Sequence, residues 1–238
     1  MTVTFWEVKI PVLGSVNLNS KNVDGVSFIR EKEKNFAIQR VQGNREQVID
    51  LAFEKLNRVL DRLSLIYDEG LIASKDNIIS NYFSGLKNSS VALLTLKLRK
   101  DDRFFDSDTS RLIEDFKGND EVLGNLLGYY NKGLRSKKED SFNAFLSFWG
   151  VVESYIRHTT GKKEVKRQDF VSFFQILEVN KKEADRLYKS YRSTIAHAGY
   201  DVSSTYDRNK VSSIIPRIQE LAKQVIEKFL LTENERTN

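Results

Sequence analysis

The sequence predicts an α+β protein in two parts: a small sheet with one long helix over residues 1–103, then an all-helical bundle over residues 104–238. Three observations predict it. Short segments rich in β-branched and aromatic residues fill much of the first hundred positions. Apolar residues at helical spacing dominate the remainder. The charged stretch Arg99-Lys-Asp-Asp-Arg103 divides the two regimes. With 238 residues, 40% hydrophobic and 30% charged, the chain has the balance of a globular protein able to bury a substantial core.

In the first part, Val3–Ile10 reads as a strand with Trp6, Val8 and Ile10 on one face, ended by Pro11. Val26–Arg30 and Phe36–Val41 are two further strands across the charged turn 31–35. The period then changes. Val48, Leu51, Ala52, Leu56, Val59, Leu60, Leu63 and Ile66 form an amphipathic helix face. Asn44 stands as its N-cap, with Gln47 three residues on, and Gly70 lies just past its end. Ile78–Phe83 and Val91–Leu98 complete the set of strands, the latter with Ala92, Leu94, Leu96 and Leu98 on one face.

The second part is a succession of helices. Leu126, Leu127, Tyr130 and Leu134 mark the first, and Phe142, Phe145, Leu146, Trp149, Val152, Tyr155 and Ile156 the second, which Gly161 closes. The aromatic residues of that stripe fall at core spacing and read as packing. Asp169–Leu177 is a short apolar helix. Asn180 with Glu183 opens another, through Leu187, Tyr188 and Tyr191 to Ile195, with Gly199 at the C′ position. The last helix spans about Asp207–Leu231, and Pro216 either kinks it or marks its first turn.

Composition excludes several chemistries. The chain has no cysteine and two histidines, His158 and His197, which leaves no disulfide framework, zinc finger, thiol nucleophile or His-rich metal site. No metal or other cofactor is expected. Phosphate loops of the G-x-x-x-x-G-K-S/T type, G-x-G-x-x-G turns and G-x-S-x-G elbows are absent. No stretch approaches the roughly 20 apolar residues of a membrane span, and Met1–Ile10 lacks the pattern of a secretory signal. The expected location is therefore the cytoplasm, with no membrane partner. The net charge is +5, and it clusters: Arg157–Arg167 and Lys181–Arg192 are two basic runs in the helical half. Such runs are either solvated faces or a footprint for a phosphate backbone.

One constellation carries chemistry: Arg192-Ser-Thr-Ile-Ala-His197, at the end of a capped helix and before Gly199. This segment resembles the R-x4–6-H signature of HEPN domains, helical bundles found in toxin–antitoxin, CRISPR and antiviral systems. The polar Ser193 after the arginine and the small residues after the histidine fit that signature. Leu126–Leu134 and Phe142–Ile156, with Glu153 inside the second stripe, are similar to the first two helices of that family, and of its ApeA-like and MauJ-like branch. The resemblance covers about residues 120–231. Nothing in residues 1–101 resembles a module we can name.

The resemblance implies a HEPN-like bundle and a metal-independent ribonuclease, a toxin or antiviral effector, acting as a homodimer on RNA. Arg192 and His197 would be catalytic and Ser193 supporting. Glu153 would either pair with Arg192 or join the site. RNA carries its own nucleophile, the 2′-OH, so an imidazole to move a proton and a cation to offset phosphate charge suffice. Lys189, Lys162 and Lys163 would contact the RNA backbone, and Tyr200 would stack on a base. His158 reads as a helix C-terminal residue rather than a second catalytic group. Five residues on an ideal helix rotate by about 140°, so Arg192 and His197 converge only if the helix distorts or a second copy completes the site. A non-catalytic HEPN module binding nucleotide, RNA or a partner protein, and a purely structural dimerisation protein, stay open. So does a regulatory partner such as an antitoxin.

Overall fold

The structure is a computed structural model describing residues 2–44, 47–86, 120–197 and 208–237. In order, the elements are β1 (Thr2–Leu13), β2 (Asn22–Val23), β3 (Val26–Glu31), β4 (Lys34–Val41), α1 (Val48–Tyr67), β5 (Ile72–Ala73) and β6 (Ile79–Leu86). Then follow α2 (Asp120–Ser136), α3 (Ser141–Thr160), α4 (Arg167–Ile176), α5 (Lys181–Arg186), a π-helical segment (Leu187–Ser193), α6 (Thr194–His197) and α7 (Arg208–Thr237). The fold class is α+β. Two compact units divide the chain, Met1–Ser107 and Asp108–Asn238. The expected strand Val91–Leu98 lies outside the described residues.

The first unit is an antiparallel sheet in the order β2-β3-β4-β1-β5, with β6 also paired to β1. Its register puts Val8 opposite Gln39, Ile10 opposite Ala37 and Val12 opposite Asn35, and all six are buried on one face. Against that face packs α1, through Val48, Ala52, Leu56, Val59, Leu60 and Leu63. Each large side chain buried this way contributes about 2 kcal/mol. Two buried amides are tied into the backbone: Gln39 Nε2 donates to the Ala52 carbonyl at 2.5 Å, and Asn35 Nδ2 donates to that of Val16 at 2.7 Å.

Three expectations in this unit are corrected. Pro11 does not end β1, which continues to Leu13. Its carbonyl accepts from the Ser74 N–H at 2.8 Å, so its ring nitrogen faces the same side, between the last pair with β6 at Lys9 and the first with β5 at Val12. The missing donor therefore falls in a gap between partner strands. Leu51 is 43% exposed, and Phe53 is buried in its stead. At 3.6 residues per turn, Leu51 points roughly 140° from the centre of the buried stripe and Phe53 about 60°. Nor is Gly70 the left-handed residue closing α1. Asp68 takes that conformation (φ 52°) and donates its N–H to the Ser64 carbonyl. At the other end the residue before α1 is Gln47, which makes no side-chain cap bond. Asn44 makes cap-like contacts one turn earlier: its Oδ1 accepts from the Gln47 N–H at 3.0 Å and its carbonyl from the Val48 N–H at 3.2 Å.

In the second unit α3 is the central helix, packed against α2 and α7. Asp140 caps its start, its carboxylate accepting from the Phe142 and Asn143 N–H groups at 3.1 Å each. Gly161 (φ 67°) ends it. Asn180 opens α5 by accepting from the Glu183 N–H at 2.9 Å. One expectation changes here, and one of the two readings of Pro216 is excluded. The helix from Asn180 does not stay α-helical, for it passes into i→i+5 geometry at Leu187. Pro216 lies well inside α7 and is not its first turn. It removes the N–H that would serve the Ser212 carbonyl, and both residues are exposed, where water can take that place. Gly199 lies outside the described residues. Among those described, no helix is long and apolar enough to cross a membrane.

Candidate active site

The site is built on the face where α3 meets the π-helical segment. Its floor is Trp149, buried among Phe145, Phe170, Phe174 and Tyr188, whose ring centroids lie 5.8, 4.7, 5.6 and 6.1 Å away. Phe145 and Trp149 are thus core, as their spacing suggested, while Phe142 is half-buried. Tyr188 belongs to the π-helical segment, and its ring also meets Phe170 at 5.5 Å. The guanidinium carbon of Arg192 lies 5.9 Å from the centre of the Tyr188 ring, within cation–π range.

From Trp149, successive turns of α3 bring Glu153 and Arg157 to the same face. Glu153 divides its carboxylate between two arginines. Its Oε1 accepts from Arg157 Nη2 at 2.5 Å, and its Oε2 stands 3.7 Å from Arg192 Nη2. The Arg192 and Glu153 side chains are 28% and 21% exposed and that of Arg157 is 51% exposed, so the group lies at the surface with its inner edge sheltered. Of the two roles open to Glu153, the structure shows the ion pair with Arg192.

Arg192 and Ser193 are the last two residues of the π-helical segment, and α6 (Thr194–His197) follows at once. The 140° separation of an ideal helix therefore does not describe this stretch. Ser193 is half-buried. The Thr194 hydroxyl donates to the Lys189 carbonyl at 3.1 Å, a side-chain bond to a backbone acceptor of the widened turn. For His197 the backbone is described, in α6. Tyr200 lies outside the described residues.

The two basic runs meet across α4 and α5. Arg167 donates through Nε and Nη2 to Asp185 Oδ1, at 3.1 and 2.6 Å, joining the start of α4 to α5. That hydrogen bond, aided by the Arg167, Lys189 and Lys181 charges, holds the Asp185 carboxyl below its ordinary range. Asp169 is likewise held low, first by a hydrogen bond from the Lys162 ammonium and then by the Lys166 N–H at 2.9 Å. Lys162 is thus engaged in an ion pair, whereas Lys163 and Lys189 are exposed.

His158 lies in the last turn of α3, as its position suggested, and it also reaches across to α7. Its ring meets Phe229 edge-on at 5.6 Å and its Nε2 is 3.9 Å from Glu233 Oε1. Among the described residues no three His, Asp or Glu side chains gather in a way that could hold a metal ion. Sequence reasoning did not assign Tyr188 to the site, and it had Arg157 only as a member of the basic run 157–167. Both stand four residues from a residue it had singled out, which is the helical spacing that brings side chains together.

Residues 126–227, fewer than half of the chain, match the profile of a family described as methylamine utilization protein MauJ. The matched stretch runs from α2 into α7 and contains Glu153, Arg157, Tyr188, Arg192 and His197. No curated protein and no solved structure matches the chain.

Proposed function

We propose that this chain is a metal-independent endoribonuclease of the HEPN type, with Arg192 and His197 acting at a cleft between two copies. One observation carries the reading. Arg192 is held half-buried between the Tyr188 ring and Glu153, on a π-helical segment that leads directly into the short helix bearing His197. Segments of π-helix inside an α-helix recur at functional sites, because they place side chains where a regular helix would not.

The chemistry follows from RNA itself. The 2′-oxygen forms a bond to the adjacent phosphorus as the bond from phosphorus to the 5′-oxygen breaks. A proton leaves the 2′-hydroxyl, and one is delivered to the departing 5′-oxygen. The products are a 2′,3′-cyclic phosphate and a 5′-hydroxyl. His197 moves one of these protons, since an imidazole titrates close to neutral pH. Arg192 offers two parallel donors to the non-bridging oxygens as their charge grows. Ser193 orients the phosphate, Lys189, Lys162 and Lys163 bind flanking backbone, and Tyr200 stacks on a base. The cellular role in this reading is a cytoplasmic toxin or antiviral effector, with the first unit sensing or restraining it.

The test is cleavage of single-stranded RNA in EDTA. Wild type is expected to cleave, and Arg192→Ala and His197→Ala are each expected to lose at least about 100-fold, with cyclic phosphate ends on the product. Cleavage that persists in both variants sinks the assignment. A second reading, a non-catalytic module that binds RNA, nucleotide or a partner protein, is favoured by the engagement of Arg192 with Glu153. It predicts RNA binding by wild type with no cleavage.

A further inference from the structure

We infer that Arg157 is the second arginine of a phosphate clamp at this site, and that Glu153 is its resident counter-anion, displaced by a phosphodiester of single-stranded RNA. The inference deepens the ribonuclease reading and rests on it for the identity of the ligand.

Two guanidinium groups from different elements converge on one carboxylate, Arg157 from α3 and Arg192 from the π-helical segment. Two guanidinium groups against one carboxylate leave a surplus positive charge, which draws a phosphodiester to the trio. A carboxylate and the two non-bridging oxygens of a phosphate offer a guanidinium the same paired acceptors, so one stands in for the other. The trio is unevenly bonded. Glu153 is hydrogen-bonded to Arg157 at 2.5 Å, whereas its 3.7 Å separation from Arg192 exceeds hydrogen-bond reach. Arg192 is thus attracted by Glu153 but not hydrogen-bonded to it, while the Tyr188 ring beneath it limits its retreat. A phosphate therefore enters on the Arg192 side. Arg157, half-exposed and on a flexible stem, follows it by exchanging one anion for the other.

This arrangement fixes the sign of a result that a merely positional role for Glu153 would reverse. The probe is a fluorescein-labelled RNA of about 12 nucleotides, 2′-O-methylated throughout so that it cannot be cut, followed by fluorescence anisotropy over a range of salt. Glu153→Gln is expected to bind it about three- to tenfold tighter than wild type. Arg157→Ala is expected to bind about three- to tenfold more weakly. Loss of one phosphate contact also lowers its salt slope by about 0.7, and Arg157→Lys keeps that slope. Unchanged or weaker binding by Glu153→Gln overturns the inference, as does an Arg157→Ala protein with wild-type slope. Circular dichroism checks folding, and should Glu153→Gln fail to fold, the slope of Arg157→Ala decides alone. Unmodified RNA separates the two readings. No cleavage, together with the expected binding pattern, removes the nuclease and keeps the clamp. Cleavage together with the overturning pattern removes the clamp and keeps the nuclease.

Discussion

Asp185 shows how a single side chain links two elements and writes a pH dependence into them. The hydrogen bond from Arg167 holds its carboxyl below the ordinary value of 3.8. A carboxylate depressed in the folded state stabilises it above its unfolded pKa, and that contribution fades as pH falls through the depressed value. Asp185→Asn should therefore lower the thermal midpoint at pH 7, and the difference from wild type should close below pH 3.8, which a series of melts would show. Gly133 makes a purely steric prediction. A Cβ there would lie 2.7 Å from the ring of Phe148, which is fully buried. Gly133→Ala is expected to cost about 1–3 kcal/mol in denaturant unfolding. What the sequence makes legible at this scale are local bonds. Asn180 and Gly161 cap their helices as read, because a cap depends only on residues within one turn. The contact of Gly133 with Phe148 joins two helices, and no spacing rule contains it.

At the scale of elements, hydrophobic periodicity shows where helices and longer strands stand but not how each one deviates. The two-residue strands β2 and β5 are too short to leave a period. The π-helical segment is concealed for a different reason. Leu187, Tyr191 and Ile195 recur every four residues, which a regular helix also satisfies. The packing of Tyr188 against Trp149 and Phe170 within that segment is a tertiary contact that no period encodes. The i→i+5 bonding of the segment is less favourable than the α-helical kind. Amides of Leu187–Ser193 are accordingly expected to exchange with solvent sooner than those at the centre of α3, as hydrogen–deuterium exchange would report. Protection equal to that of α3 would show a segment too rigid for this account. Tyr188→Ala should speed exchange further by removing the ring that holds the turn. Tyr188→Phe, which keeps the ring packing, should not.

For the whole molecule, the change of period near residue 100 made the two-part, α+β organisation readable, because sheet and helix impose different repeats on the same apolar residues. How many copies act together leaves no such trace in one chain. In the proposed dimer, a two-fold axis would bring two Arg192 and two His197 into one cleft, since an isologous interface presents the same patch from both sides. Light scattering should then give twice the 27.5 kDa of the single chain. A sharper test uses two inactive variants together. Co-expressing Arg192→Ala with His197→Ala yields some mixed dimers that keep one intact Arg192 and one intact His197 on opposite copies. Each parent alone lacks one of the two groups entirely. If the cleft is shared, cleavage in EDTA should reappear in the mixture and be absent from both parents. If instead each copy completes its own site within the Leu187–His197 stretch, the mixture should stay as inactive as its parents, and the shared cleft would be excluded even for a dimer of the right mass.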